Sequence, residues 1–127
     1  QADFTLTFYR LSQLTAEAGD EDAAIRELFA RSDAIEAWLV RWRQRLSPEK
    51  MNDAERQALM QSVNPVYIPR NHQIEAVIRA AEDHDDFAPF HALHDVLQHP
   101  FERQPGMDKY MLPPEPHEVV LRTFCGT

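Results

Sequence analysis

His91 and His94 stand three residues apart, with His84, Asp95 and His99 close in sequence. On a helix such a pair shares one side and can hold a metal between its imidazoles. No third ligand is defined, so the stronger reading is a solvated helix face in an acidic protein. Glu82, Asp83, Asp85 and Asp86 form an acidic run. Paired carboxylates can do acid–base work. Between two helices, the same run reads as the last turn of one and the cap of the next. Arg41, Arg43 and Arg45 could grip an anion, but their spacing favours a solvated surface. Trp38 and Trp42, four apart among apolar residues, read as core. Cys125 is the single cysteine and stands in a proline-punctuated terminal stretch. A thiol there is expected to be accessible, which thiolate chemistry requires.

The elements that position these groups follow from composition and spacing. The 127 residues are enough for one domain. Thirteen basic against 21 acidic residues give a formal charge of −8, which disfavours nucleic-acid binding. No apolar run approaches the roughly 18 residues of a membrane helix, and no secretory signal opens the sequence. One cysteine excludes an internal disulfide framework and fits a reducing compartment, expected to be the cytoplasm. The three glycines, at 19, 106 and 126, cannot form a phosphate-cradling loop. Lys50 and Lys109 are the only lysines, and neither lies in a kinase-like context. The sequence starts at Gln1, so it is expected to be processed or part of a longer protein.

Apolar spacing predicts helix through most of the chain. Asp3 caps a first helix carrying Phe4, Phe8, Leu11 and Leu14. Asp20 caps a second with Ala24, Ile25, Leu28 and Phe29. A third begins at Ser32 or Asp33 and carries Ile35, Trp38, Leu39, Trp42 and Leu46. The fourth starts at Ser47-Pro48 or, through an Asn52/Glu55 capping box, later. Asn64 to His72, NPVYIPRNH, cannot be regular helix because Pro65 and Pro69 break it. Asn71 is the expected cap of a fifth helix with Ile74, Val77, Ile78 and Ala81. Asp85 or Asp86 caps a sixth with Phe87, Phe90, Leu93, Val96 and Leu97. The reading is an all-α bundle of five to six helices over residues 1–99, then an extended, proline-rich tail over 100–127. Val119 to Phe124 is extended in this reading. The modest core suggests that some apolar stripes dock on a partner, or that the chain covers them as a homodimer.

NPVYIPRNH is the first of an ordered set of segments. The set continues with His91-Ala-Leu-His-Asp-Val-Leu, Pro100-Phe101, Tyr110 with Pro113-Pro114, and Thr-Phe-Cys-Gly-Thr. Together with DFTLTFYRLS and Ala37-Trp38-Leu39-x-x-Trp42, it resembles the C-terminal region of the selenoprotein O (SelO) family. The resemblance implies part of a larger protein-kinase-like fold. It also implies a parent that uses ATP and magnesium to transfer AMP to hydroxyl side chains of protein substrates. The family's catalytic lysine, nucleotide-binding arginines and metal ligands lie upstream of the matched region, so none falls on this chain. Carried over are Arg70 and Asn71 as structural residues and Cys125 as a redox residue. The sequence departs from the family's two-centre redox tail, which leaves Cys125 to pair with a cysteine elsewhere in the parent.

The leading expectation is therefore a non-catalytic helical region that supports the upstream kinase-like domain and a redox-sensitive tail. Its rivals are a stand-alone helical module binding a partner helix in an apolar groove and a small metal-binding bundle built on the histidines.

Overall fold

The computed structural model describes residues 2–122. Among them there are six α-helices, one 3₁₀ turn and no strand. Two compact units divide between Pro65 and Val66. Each contains buried hydrophobic residues, among them Leu14, Ile25 and Leu39 in the first and Val66, Tyr67 and Val96 in the second.

In the first unit, α1 (Phe4–Leu11) starts where the Asp3 carboxylate accepts from the Leu6 amide at 2.8 Å. This satisfies one of the donors that every helix start leaves over. Its buried face carries Leu6, Tyr9 and Leu11. The short α2 (Asp22–Arg26) places Ile25 in the core. Asp20 does not cap it. The cap position is Glu21, without a side-chain bond, and the first turns close on the Gly19 and Asp20 carbonyls. Leu28 and Phe29 follow in tight turns beyond the helix.

The long α3 (Ser32–Leu46) follows Arg31 in the cap position. Its inward residues Ile35 and Leu39 join Leu11, Leu14 and Ile25, with Phe8, Phe29, Trp42 and Met60 packed around them. Each such large side chain contributes roughly 1.5–3 kcal/mol on full burial. Trp38 departs from the core reading. It is 39 % exposed and stacks on Trp42. Ser47 ends α3 instead of starting the next helix. α4 (Asp53–Val63) begins at the Asn52/Glu55 capping box, with both reciprocal bonds present at 2.9 and 3.0 Å.

The second unit is built on α5 (Asn71–His84) and α6 (Ala88–Gln98). Between them Asp85 takes the left-handed conformation, φ 53°, while the Asp85 and Asp86 amides bond the Ala81 and Ala80 carbonyls. Aspartate tolerates this conformation better than most residues do, and it closes the helix end. Asp86 accepts from the Ala88 amide at 3.0 Å, but Phe87 holds the cap position of α6, so neither Asp85 nor Asp86 is the cap expected there. The expected cap at Asn71 is corrected. Arg70 holds the cap position, no side-chain bond closes it, and Asn71 is the first helical residue.

The segment after Pro100 is not a helix-free tail. It carries the 3₁₀ turn Asp108–Tyr110 and buries Tyr110 and Met111. Val119–Arg122 is irregular, and Phe124 and Cys125 lie outside the described residues.

Candidate functional site

The first unit's polar side chains converge on the turn that follows α1. Asp22 is 1 % exposed. Arg43 donates to its two oxygens at 2.9 and 2.7 Å, a bidentate charge-assisted pair. Arg43 Nε also donates to the Thr15 carbonyl at 3.2 Å, and Arg26 approaches Asp22 at 3.6 Å. Arg43 therefore departs from the solvated reading of the arginine cluster. Arg41 is exposed, and Arg45 pairs with Glu49 at the surface.

Three side chains of α4 complete the clasp. Arg56 is buried, donates to the Leu14 carbonyl and pairs with Asp53. Its guanidinium lies 5.5 Å from the centre of the Trp42 ring, a cation–π distance. Asp53 accepts from the Ala16 amide at 2.9 Å, and Gln57 donates to the Gln13 carbonyl at 2.9 Å. The Arg56 hydrogen bond holds the Asp53 carboxyl below its ordinary range. At the surface, the Arg31 side chain does the same for Asp33. A hollow of ≈ 440 Å³ beside this cluster is lined by Arg43, Asn52, Asp53 and Arg56. Both of its arginines already bind carboxylates, so it holds no uncommitted cation for an anionic ligand.

The second unit has its own clasp around NPVYIPRNH. The Val66 and Tyr67 amides donate to the Pro100 carbonyl at 2.7 and 3.1 Å. The Tyr67 hydroxyl accepts from the Gln104 amide at 2.9 Å. Gln104 in turn donates to the Val96 and His99 carbonyls. Arg70, buried, donates to the Met111 carbonyl at 2.8 Å. Asn71 is exposed beside it. Two prolines leave this segment without helical bonds, and side chains together with the turn after α6 supply replacements.

The α6 histidines engage their neighbours. The Phe90 ring packs edge-on to His91 and stacks on His94, whose Nδ1 lies 3.5 Å from Asp95. Among the described residues, no three of His, Cys, Asp and Glu are placed to hold a metal ion. The two lysines stand at positions 50 and 109. Lys109 sits against the Tyr110 ring. Asp22, Arg43 and Arg56 are the residues that sequence reasoning missed. Asp22 alone within the short second helix gave no periodic signal, and Arg43 was masked by its arginine neighbours. No helix among the described residues is long and apolar enough to cross a membrane.

Comparisons with known proteins add a relationship to this geometry. The family model described as Protein adenylyltransferase SelO matches residues 1–98. A Protein nucleotidyltransferase YdiU from Rhodopseudomonas palustris (strain BisB18) is 56 % identical over 126 residues, covering 99 % of this chain and 25 % of the relative. The protein of the same description from Bradyrhizobium sp. (strain BTAi1 / ATCC BAA-1182) is 56 % identical over 127 residues, 100 % of this chain and 26 % of its own length. One from Rhizobium johnstonii is 54 % identical over 129 residues, again 99 % and 25 %. The chain spans about a quarter of the length of the curated relatives it matches.

Proposed function

From the premise that the chain belongs to the SelO family, we propose that it is the non-catalytic C-terminal region of a protein nucleotidyltransferase. The observation that carries this reading is the match along the whole chain to relatives called protein nucleotidyltransferases, of which it covers only a quarter. The two clasps support it as well. Their arginines, carboxylates and amides are spent on one another and on backbone. A region built this way supports a fold and leaves the chemistry to another part of the protein.

The parent, in this reading, binds ATP with magnesium in a kinase-like domain upstream and transfers AMP to hydroxyl side chains of protein substrates. ATP supplies the AMP group. This chain's own residues bind neither ATP nor the metal, and no step of the transfer runs through them. Arg70 holds the irregular NPVYIPRNH segment against the turn at Met111, which fixes the start of α5. Cys125 acts in regulation. Its thiol and a second thiol of the parent lose two electrons and two protons to a peroxide-class oxidant and form a disulfide that restrains the enzyme.

Labelled ATP tests the first part. Full-length protein should place AMP on protein hydroxyls, and residues 1–127 alone should place none. Cys125→Ser tests the second. The full-length variant should keep its transfer activity and lose its response to reductant. A variant that still responds to reductant would remove the redox role and leave the transferase reading intact.

A further inference from the structure

The last described residues follow helix α5. Val119 and Val120 line a hollow with Pro69 and Asn71 at the start of that helix. Val120 and Arg122 line a second hollow, of ≈ 350 Å³, with Ile74, Ile78 and Glu82 further along it. The segment thus advances from the start of α5 toward its end, inside the second unit. Its residues alternate. Val120 is half-buried between Val119, which is exposed, and Leu121, which is 90 % exposed. Such alternation belongs to an extended chain with one side against a support. Ile74 and Ile78, four apart on one face of α5, stay 37 % and 44 % exposed at the hollow.

We propose that this face of α5 is a docking site for residues 123–127, with Phe124 as the anchor in the hollow beside Ile78. Those five residues, Thr-Phe-Cys-Gly-Thr, lie outside the described residues, and Phe124 is the one large apolar side chain among them. Two extended residues span about 7 Å, so Phe124 stands within about 7 Å of Arg122 along the chain. A turn of α5 advances about 5.4 Å. A chain that continues in the same direction therefore brings Phe124 level with Ile78. Alternation sets the side. Val120 and Arg122 line the hollow, and Phe124 is the next residue in that series. Its ring there takes apolar surface of both isoleucines out of water. The same alternation turns Cys125 away from α5. The anchor thus places the thiol and leaves it open to a second thiol. This consequence for Cys125 rests on the redox role proposed above, and the anchor itself does not.

Photo-crosslinking in the full-length protein tests the proposal. With p-benzoylphenylalanine in place of Phe124, illumination should join that position to the peptide carrying Ile74 and Ile78. A mixture of light and heavy isotope-labelled protein separates crosslinks within one molecule from those between two. Adding Ile78→Asp should cut the crosslink severalfold. If Ile78→Asp does not fold, the crosslink map of the single variant decides by itself. Crosslinks to residues 1–65, to the rest of the parent or to a second copy overturn the proposal, and so does the absence of any crosslink. Under reductant, Cys125 should be alkylated within a few-fold of its rate in denatured protein. A thiol that resists alkylation overturns its outward placement. The response of AMP transfer to reductant is read separately in the wild type. A crosslink to α5 without that response sinks the redox role alone, and the response without that crosslink sinks the docking proposal alone.

Discussion

Arg43 grips Asp22 with both terminal nitrogens, at 2.9 and 2.7 Å, across 21 residues of chain. The pair fastens α2 to α3, and the Arg43 Nε bond to Thr15 fastens both to the turn after α1. With Asp22 almost fully buried, loss of Arg43 would leave its charge only the longer Arg26 contact at 3.6 Å. Removing one member of such a pair costs about 3–5 kcal/mol. Arg43 retains some exposure, which places Arg43→Ala near the lower end of that range. Arg43→Lys should also destabilise, since an ammonium cannot reproduce the fork. Both tryptophans of the chain lie on α3. Their fluorescence during urea unfolding therefore reports on this unit, and an unchanged midpoint in Arg43→Ala would contradict the assignment.

The two asparagines expected to cap helices should behave differently. Asn52 sits in a complete capping box, so Asn52→Ala should cost about 0.5–2 kcal/mol. Asn71 is exposed in the first turn of α5 and does not occupy the cap position. Asn71→Ala should stay within about 0.5 kcal/mol, as for ordinary surface substitutions. Thermal unfolding of the two variants side by side makes the comparison. Equal losses would contradict it.

These cases show what the sequence made legible. Local patterns were readable where a helix signals its own ends, as at Asp3 and at the Asn52/Glu55 box. The helical class followed from apolar spacing. The clasps were not readable, because their partners lie far apart in the chain. Arg56 bonds the Leu14 carbonyl 42 residues away, and Arg70 bonds Met111 41 residues away. Backbone carbonyls carry no sequence signature, so a side chain that seeks them looks like any surface arginine. The segment after Pro100 misled for a related reason. Prolines exclude helix, but they do not prevent Tyr110 and Met111 from packing. Cys125, the redox candidate, falls outside the described residues.

Acid should loosen the first unit through Asp53. Its folded carboxyl is held below the ordinary value by the Arg56 hydrogen bond. A carboxyl whose folded pKa is depressed stabilises above its unfolded pKa, about 3.9 for aspartate. That contribution is lost as pH falls through the folded value. Asp53→Asn should therefore lower the melting temperature at neutral pH, and the gap to wild type should narrow below about pH 4. A constant gap from neutral to acid pH would show that this ionisation contributes nothing.

Tyr67 offers a test of the second clasp. Its hydroxyl accepts the Gln104 amide at 2.9 Å, and its side chain is fully buried. Tyr67→Phe keeps the ring and strips the acceptor, which leaves a backbone donor unsatisfied at a cost of about 1–3 kcal/mol. Hydrogen exchange at the Gln104 amide should quicken markedly. Unchanged exchange there would mean that another group holds the turn.

In the reading proposed above, residues 1–127 support a transferase whose chemistry lies elsewhere in the protein. Mass spectrometry of an acceptor protein incubated with ATP and magnesium tests it most directly, with full-length enzyme in one sample and residues 1–127 in another. AMP adducts on hydroxyl side chains are expected with the full-length enzyme and none with residues 1–127. Adducts formed by residues 1–127 alone would contradict it, and so would a folded full-length protein that transfers no AMP to any acceptor, itself included.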